Sequence, residues 1–291
     1  MRLVLVNGEP KAPEEAVVSV YDRGFLYGDS VFETIRTYGG KPFALEEHVQ
    51  RLARSASRVL IELPLPIEEI AKEIERAVEL AQNPESSIRV MLTRGTGPLG
   101  LDPDLARNPS RFVFVEPLKM PPVEAYRDGI KTILVRTSRA TDATAAAGAK
   151  VANYLTSLLA LREAKQAQAT EALIVDGNGM VVEGATSNVF VVKNGELVTP
   201  PESAGILPGI TRAHLIEVAK ELGVVVRFEE LPEASILDAD EVFISSSIRE
   251  VLPVVRVDEK TIGDGKPGAM TRKLHSAFRK AVGAPGPDPW D

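Results

Sequence analysis

The chain has 291 residues, 44% of them hydrophobic and 26% charged, with a formal net charge of −7. This is the composition of a globular protein, and its acidic balance argues against nucleic acid or an anionic membrane as main partner. The absence of cysteine excludes disulfides, thiolate nucleophiles and cysteine-built zinc sites, and it fits a reducing cytoplasm.

The opening MRLVLVNGEPKAP reads as a first strand and turn, not a signal peptide. Asn7-Gly8 and Gly39-Gly40 sit between strand-like runs and predict hairpins. Residues 31–38 read as a strand. Residues 44–60 switch to helical period, with Leu45, Val49, Leu52, Ala56 and Leu60 on one face. A second helix is predicted over 67–80, after Pro64 and Pro66. Strands follow at 87–93 and 112–115. Lys119-Met120-Pro121-Pro122 then reads as a linker, because paired prolines cannot continue a sheet ladder.

Beyond the linker, 130–135 predicts a strand and 140–149 a small, flexible stretch that could be a lid. Residues 151–166 predict a helix, with Leu155, Leu158, Leu159 and Leu161 on its buried side. Two hairpins follow, turning at 176–179 and at Asn194-Gly195. Helices are expected over 209–222, closed by Gly223, and over 269–281, with strands at 240–245 and 251–257 between them. The division is therefore a small N-terminal domain, 1–118, a linker, 119–125, a large C-terminal domain, 126–283, and a loose tail, 284–291. Hairpins mixed with helices imply an α+β fold. No run of roughly 20 apolar residues that could span a bilayer is present. With three histidines and no HExxH, no metal site is expected.

Several segments carry chemistry. Gly209-Ile210-Thr211 opens a helix, where free N–H groups suit a phosphate; taken alone, an ordinary capped helix explains it as well. Ser246 and Ser247 end a strand, where hydroxyls can hold an anion or form a polar turn. Lys150 follows small residues at a predicted helix start. Desolvation there would lower its pKa and make it a Schiff-base nucleophile, although a surface lysine could also occupy that place. Tyr154, four residues on, would share its helix face. A carboxylate such as Glu183 can keep a pyridine nitrogen protonated, and a guanidinium such as Arg51 suits phosphate in a two-point contact.

Together the segments resemble the class IV aminotransferases, the fold-type IV family dependent on pyridoxal 5′-phosphate (PLP). The matching blocks are SVYDRGFLYGDSVFETIRTY, LEEHVQRL, IRVMLTRGTGPLGLD, AKVANYL, EALIVDGNGMVVEGATSNVF, GILPGITR and DEVFISSSIREVLPV, in family order. The resemblance implies a small N-terminal α/β sandwich, a larger C-terminal pseudo-barrel, PLP between them, and a homodimer. It makes Lys150 the Schiff-base lysine and proton shuttle. Glu183 would pair with the pyridine nitrogen and Tyr154 would approach the phenolic oxygen. Arg51, Gly209, Ile210, Thr211, Ser246 and Ser247 would hold the phosphate, with Thr186 and Asn188 beside the ring.

Tyr27, Phe32 and Arg36 match the pattern of branched-chain enzymes, and Arg89 matches a position that helps recognise the substrate carboxylate. Thr34 stands where that group usually has Gly. Ile248 and Arg249 stand where it has small residues, so they could reshape the pocket, and Arg249 could bind a carboxylate. The reaction implied is amino-group transfer between a branched-chain or other small apolar amino acid and 2-oxoglutarate. A D-amino-acid aminotransferase and an aminodeoxychorismate lyase releasing pyruvate are the alternatives.

Overall fold

The computed structural model describes residues 1–137 and 148–290. Most of the predicted flexible stretch at 140–149 lies outside these. The chain separates into two compact units. The first holds Met1–Lys119 with the described part of Thr144–Tyr154; the second holds the described parts of Met120–Ala143 and Leu155–Asp291.

The first unit contains β1 (Leu3–Val6), β2 (Glu9–Lys11), α1 (Arg23–Tyr27), β3 (Ser30–Tyr38), β4 (Lys41–Pro42), α2 (Leu45–Arg58), α3 (Ile67–Ala81), β5 (Ser86–Thr93) and β6 (Ser110–Pro117). The strands form one antiparallel sheet, ordered β2-β1-β6-β5-β3-β4. Both predicted hairpins form, and each pair of turn residues has positive φ, the geometry that matches strand twist in two-residue turns. Val31 and Ile35 of β3, Ile88, Val90 and Leu92 of β5, and Leu3 and Leu5 of β1 bury one sheet face against Val49, Leu52 and Ala56 of α2 and Ile70, Ile74 and Ala77 of α3. Because strand side chains alternate, Phe32 and Arg89 fall on the opposite face. Leu60 does not belong to the helical stripe. It follows α2 at φ 59° and is 73% exposed.

The second unit contains α4 (Val123–Arg127), β7 (Ile130–Arg136), α5 (Leu155–Gln166), β8 (Glu171–Val175), β9 (Val181–Gly184), β10 (Asn188–Lys193), β11 (Glu196–Thr199), α6 (Ile210–Glu221), β12 (Val226–Phe228), α7 (Glu233–Leu237), β13 (Glu241–Ser246), β14 (Glu250–Val257), β15 (Lys260–Thr261) and α8 (Ala269–Ala281). Its mixed sheet runs β12-β11-β10-β13-β14-β7-β8-β9, with β15 on β14. The pairs β11–β12, β14–β7 and β7–β8 are parallel. The end strand β9 returns against β10 through the tight 184–188 turn, which curls the sheet into the expected pseudo-barrel. Val189, Val191, Ile244, Leu252 and Leu173 fill its inside.

Two expectations are corrected. The helix predicted from 151 begins at Leu155, because Val151 pairs with Val31 instead. Its buried residues are Ala160 and Ala164, while Leu155, Leu158 and Leu159 are exposed. The tail is also not loose. Trp290 packs on the barrel core, and Arg279 Nη2 donates to the carbonyls of Pro285 and Pro287 at 3.1 and 3.3 Å.

Candidate active site

In the first unit, the beginning of β3 has an unoccupied edge, since β4 reaches only Thr37 and Tyr38. The segment 150–152 fills it. Phe32 N–H donates to the Lys150 carbonyl at 3.0 Å, and Ala152 N–H donates to the Ser30 carbonyl at 2.9 Å. Lys150 N–H donates to Ser55 Oγ of α2 at 3.1 Å. Backbone pairing, not a helix, therefore sets the position of this lysine. Its Nζ lies 4.6 Å from the centre of the Phe32 ring and 3.2 Å from Tyr154 Oη. Tyr154 meets Phe32 edge-on, with centroids 5.1 Å apart. The Arg89 guanidinium sits 4.2 Å from the same Phe32 centre. Lys150, Tyr154, Phe32 and Arg89 thus form one cluster of two cations around two aromatic rings. Partial desolvation pulls the Arg89 guanidinium below its usual range.

Tyr27 and Arg36, also expected at the pocket, make their contacts outside this cluster. Tyr27 Oη accepts from Gly100 N–H at 3.1 Å and lies under Arg23. The Arg36 guanidinium covers the Tyr38 ring at 4.1 Å and donates to the Thr37 carbonyl.

Arg51 points at the sheet from α2. Its Nε and Nη2 donate to Glu33 Oε1 and Oε2 at 2.7 and 2.6 Å, and His48 Nδ1 lies 2.8 Å from Oε2. All three residues are buried. Burial pushes the Glu33 carboxyl up, but the charge and hydrogen bonds of Arg51, then of His48, outweigh it and bring it down to about 2. Burial holds His48 below the usual imidazole range, with Glu33 opposing. Glu33 and His48 were missed in the sequence reading. The signal was available: Glu33 occupies the core phase of β3 between Val31 and Ile35, where an acid requires a partner.

In the second unit, the carboxylate of Glu183 on β9 accepts from Leu207 N–H at 3.0 Å, while Asn188 Nδ2 donates to the Leu207 carbonyl at 2.9 Å. These contacts hold the Leu207-Pro208-Gly209 approach to α6. A Cβ on Gly209 would lie 2.0 Å from Asn188 Oδ1, so the backbone must come this close. No side chain caps α6 at Gly209, and Ile210 and Thr211 are buried in its first turn.

Ser187 precedes Asn188 in the chain and Ser245 pairs with it across the strands; the Oγ atoms of both are buried and find no hydrogen-bond partner among the described residues. Uncapped helix N–H groups, a backbone cradle closed to any Cβ and orphaned hydroxyls together fit an anionic, polar group such as a cofactor phosphate.

The turn after β13 carries the remaining residues. Ser247 and Ile248 are half-buried. The guanidinium of Arg249 is committed internally. Nη1 donates to Glu171 Oε2 at 2.6 Å, Nη2 to Thr186 Oγ1 at 2.6 Å, and Nε to Ser246 Oγ at 3.1 Å. Thr186 Oγ1 in turn donates to Glu171 Oε2 at 2.8 Å. Glu171 is fully buried and was also missed, because an acid beside the apolar run 172–175 reads as lying just outside the strand. No group of three or more metal-ligating side chains is found among the described residues, and no described helix is long and apolar enough to cross a membrane.

Comparison with known proteins places these features in context. The family model described as amino-transferase class IV matches residues 30–257. A Methanocaldococcus jannaschii protein provisionally named as a branched-chain-amino-acid aminotransferase is 40% identical over 276 residues, covering 95% of each chain. The D-alanine aminotransferase of Bacillus licheniformis is 32% identical over 279 residues, covering 96% of each. Among solved structures, a T.th. branched-chain amino acid aminotransferase with pyridoxamine 5′-phosphate superimposes with a TM-score of 0.91 at 34% identity, covering 96% of this chain and 93% of that one. Match length, fold and residue pattern agree, and the chain belongs to the class IV aminotransferase family.

Proposed function

We propose that this protein is a PLP-dependent aminotransferase that exchanges an amino group between a branched-chain or other small apolar L-amino acid and 2-oxoglutarate. The observation that carries the proposal is the Lys150 cluster: an amine held by backbone pairing, 3.2 Å from a phenol and over an aromatic face, with a second cation beside it. The family's chemistry needs such an amine, and an apolar substrate with a carboxylate suits such walls.

Each residue has a proposed task. Lys150 Nζ takes the proton from the substrate α-carbon and later returns it. Tyr154 Oη orients that amine. Phe32 walls the apolar side chain, and Arg89 receives a carboxylate. Glu183 faces the cofactor's ring nitrogen, with Thr186 and Asn188 beside the ring. Arg51, Ser246, Ser247 and the N–H groups of Ile210 and Thr211 hold the phosphate, with Gly209 allowing the approach. PLP, when bound, supplies the electron sink for the charge left by the departing proton. Tyr27, tied to Gly100, and Arg36, packed on Tyr38 of its own strand, act through the segments they brace, and Ile248 and Arg249 shape the turn. The working unit is a homodimer; the exposed Val17, Val20 and Phe25 of the first unit offer apolar surface for it. Light scattering at twice the chain mass is the expected result.

A second reading, transfer from D-amino acids, is favoured by the D-alanine aminotransferases among the relatives. The deciding experiment is absorption of the PLP-loaded protein titrated separately with L-leucine, L-glutamate and D-alanine. Conversion of the visible band by both L-amino acids supports the proposal. Conversion by D-alanine alone replaces it with the second reading. If none reacts, pyruvate release from aminodeoxychorismate tests the lyase alternative, and the transfer reading falls.

A further inference from the structure

The turn Ser246–Arg249 is followed at once by Glu250, which is fully buried and has φ 56°. A non-glycine residue in left-handed conformation persists only where its surroundings hold it. Here the holders sit on one face of α8. His275 Nε2 lies 2.7 Å from Glu250 Oε2, and Arg279 Nη1 donates to the same oxygen at 2.9 Å.

Both holders also grip the tail. Arg279 donates through Nη2 to the carbonyls of Pro285 and Pro287. His275 meets Trp290 edge-on at 5.6 Å and stacks on Tyr126 at 5.4 Å. Tyr126 Oη then donates to the Arg249 carbonyl at 3.1 Å. Two routes therefore connect the tail to the turn. One runs through Arg279 to Glu250, and the other through His275 and Tyr126 to Arg249. A tail needed only for solubility would require neither, and the Arg279–Glu250 ion pair makes the first route costly to deform.

We propose that the segment 284–290, gripped by Arg279 of α8, is a positioning element for the Ser246–Arg249 turn, with Trp290 as its positioning residue. The inference rests on the reading that this turn holds the cofactor phosphate and borders the substrate. Loss of the Trp290 ring loosens His275 and, through it, the turn. The effect is felt in binding at a site Trp290 does not itself form.

The test compares full-length Trp290→Ala and Trp290→Phe with the parent, with two readouts. Hydrogen exchange of the 246–250 amides reports on the turn, and PLP titration of the cofactor-free protein reports on binding. Trp290→Ala is expected to speed exchange of these amides and weaken PLP binding about 2- to 30-fold, and Trp290→Phe to restore most of both. Unchanged exchange in Trp290→Ala overturns the coupling. Faster exchange with unchanged PLP affinity overturns the positioning role. Ser247→Ala, measured in parallel, separates the two claims: if it leaves PLP affinity unchanged, the reading of the turn as a phosphate site has failed.

Discussion

Lys150 Nζ lies 3.2 Å from Tyr154 Oη although no helix joins them: the chain between runs along the edge of β3, and α5 begins only at Leu155. Tyr154→Phe removes this contact and keeps the ring against Phe32. A hydrogen bond to a charged group is worth about 1.5–3 kcal/mol, so kcat/KM should fall about 10- to 150-fold with little change in Tm. Steady-state kinetics and a thermal melt check this. An unchanged kcat/KM would remove Tyr154 from the site.

Glu33 and Arg51 form a buried two-point ion pair. Arg51→Met strands the Glu33 carboxylate, and removing one partner of such a pair costs about 3–5 kcal/mol. Glu33→Gln tests pH. The carboxyl falls from 4.5 to about 2 on folding, so its contribution, about 3 kcal/mol, is present above pH 4.5 and is lost as pH falls toward 2. His48, also lowered on folding, has the same sign: its contribution is present above its ordinary value and lost on acidification. Urea melts across this range should show a steeper loss in the parent than in Glu33→Gln. Parallel curves would sink the assignment.

Arg249→Ala leaves Glu171 buried without its cation. The expected outcome is a large drop in Tm, from a cost of about 3–5 kcal/mol, and similar losses of kcat/KM for leucine and glutamate. A loss confined to glutamate, with unchanged Tm, would make Arg249 a substrate ligand instead of a brace.

Gly209→Ala places a methyl against Asn188 Oδ1. Overpacking of this kind costs about 1–3 kcal/mol. It should weaken PLP binding about tenfold or more, because the first turn of α6 has to move. Calorimetric titration of the cofactor-free variant measures it. Parent-like affinity would place the phosphate elsewhere.

Local chemistry made much of this protein legible before folding was considered. Asn7-Gly8, Gly39-Gly40 and Asn194-Gly195 specify their turns because their residues tolerate positive φ. The stripe Leu45, Val49, Leu52, Ala56 specifies α2, and the 269–281 helix has the predicted ends. The block order identified the family, since seven spaced motifs cannot be matched by composition alone.

Only tertiary structure decided the rest. Whether residues 151–154 are helix or strand depends on the unoccupied edge of β3, and an edge is a property of the folded sheet. The leucines of α5 looked like a buried face, but against β7 and β8 the fully buried residues are Ala160 and Ala164, and of the four leucines Leu161 alone packs partly on that core. Arg51 and Arg249 were legible as cations, but not the buried acids Glu33 and Glu171 that claim their guanidinium groups. Nor was the grip of Arg279 and His275 on a tail rich in Gly and Pro. Periodicity reports which side of an element is apolar. Which charges meet across elements depends on long-range register, and the free energy of a buried ion pair exists only once both partners are brought together.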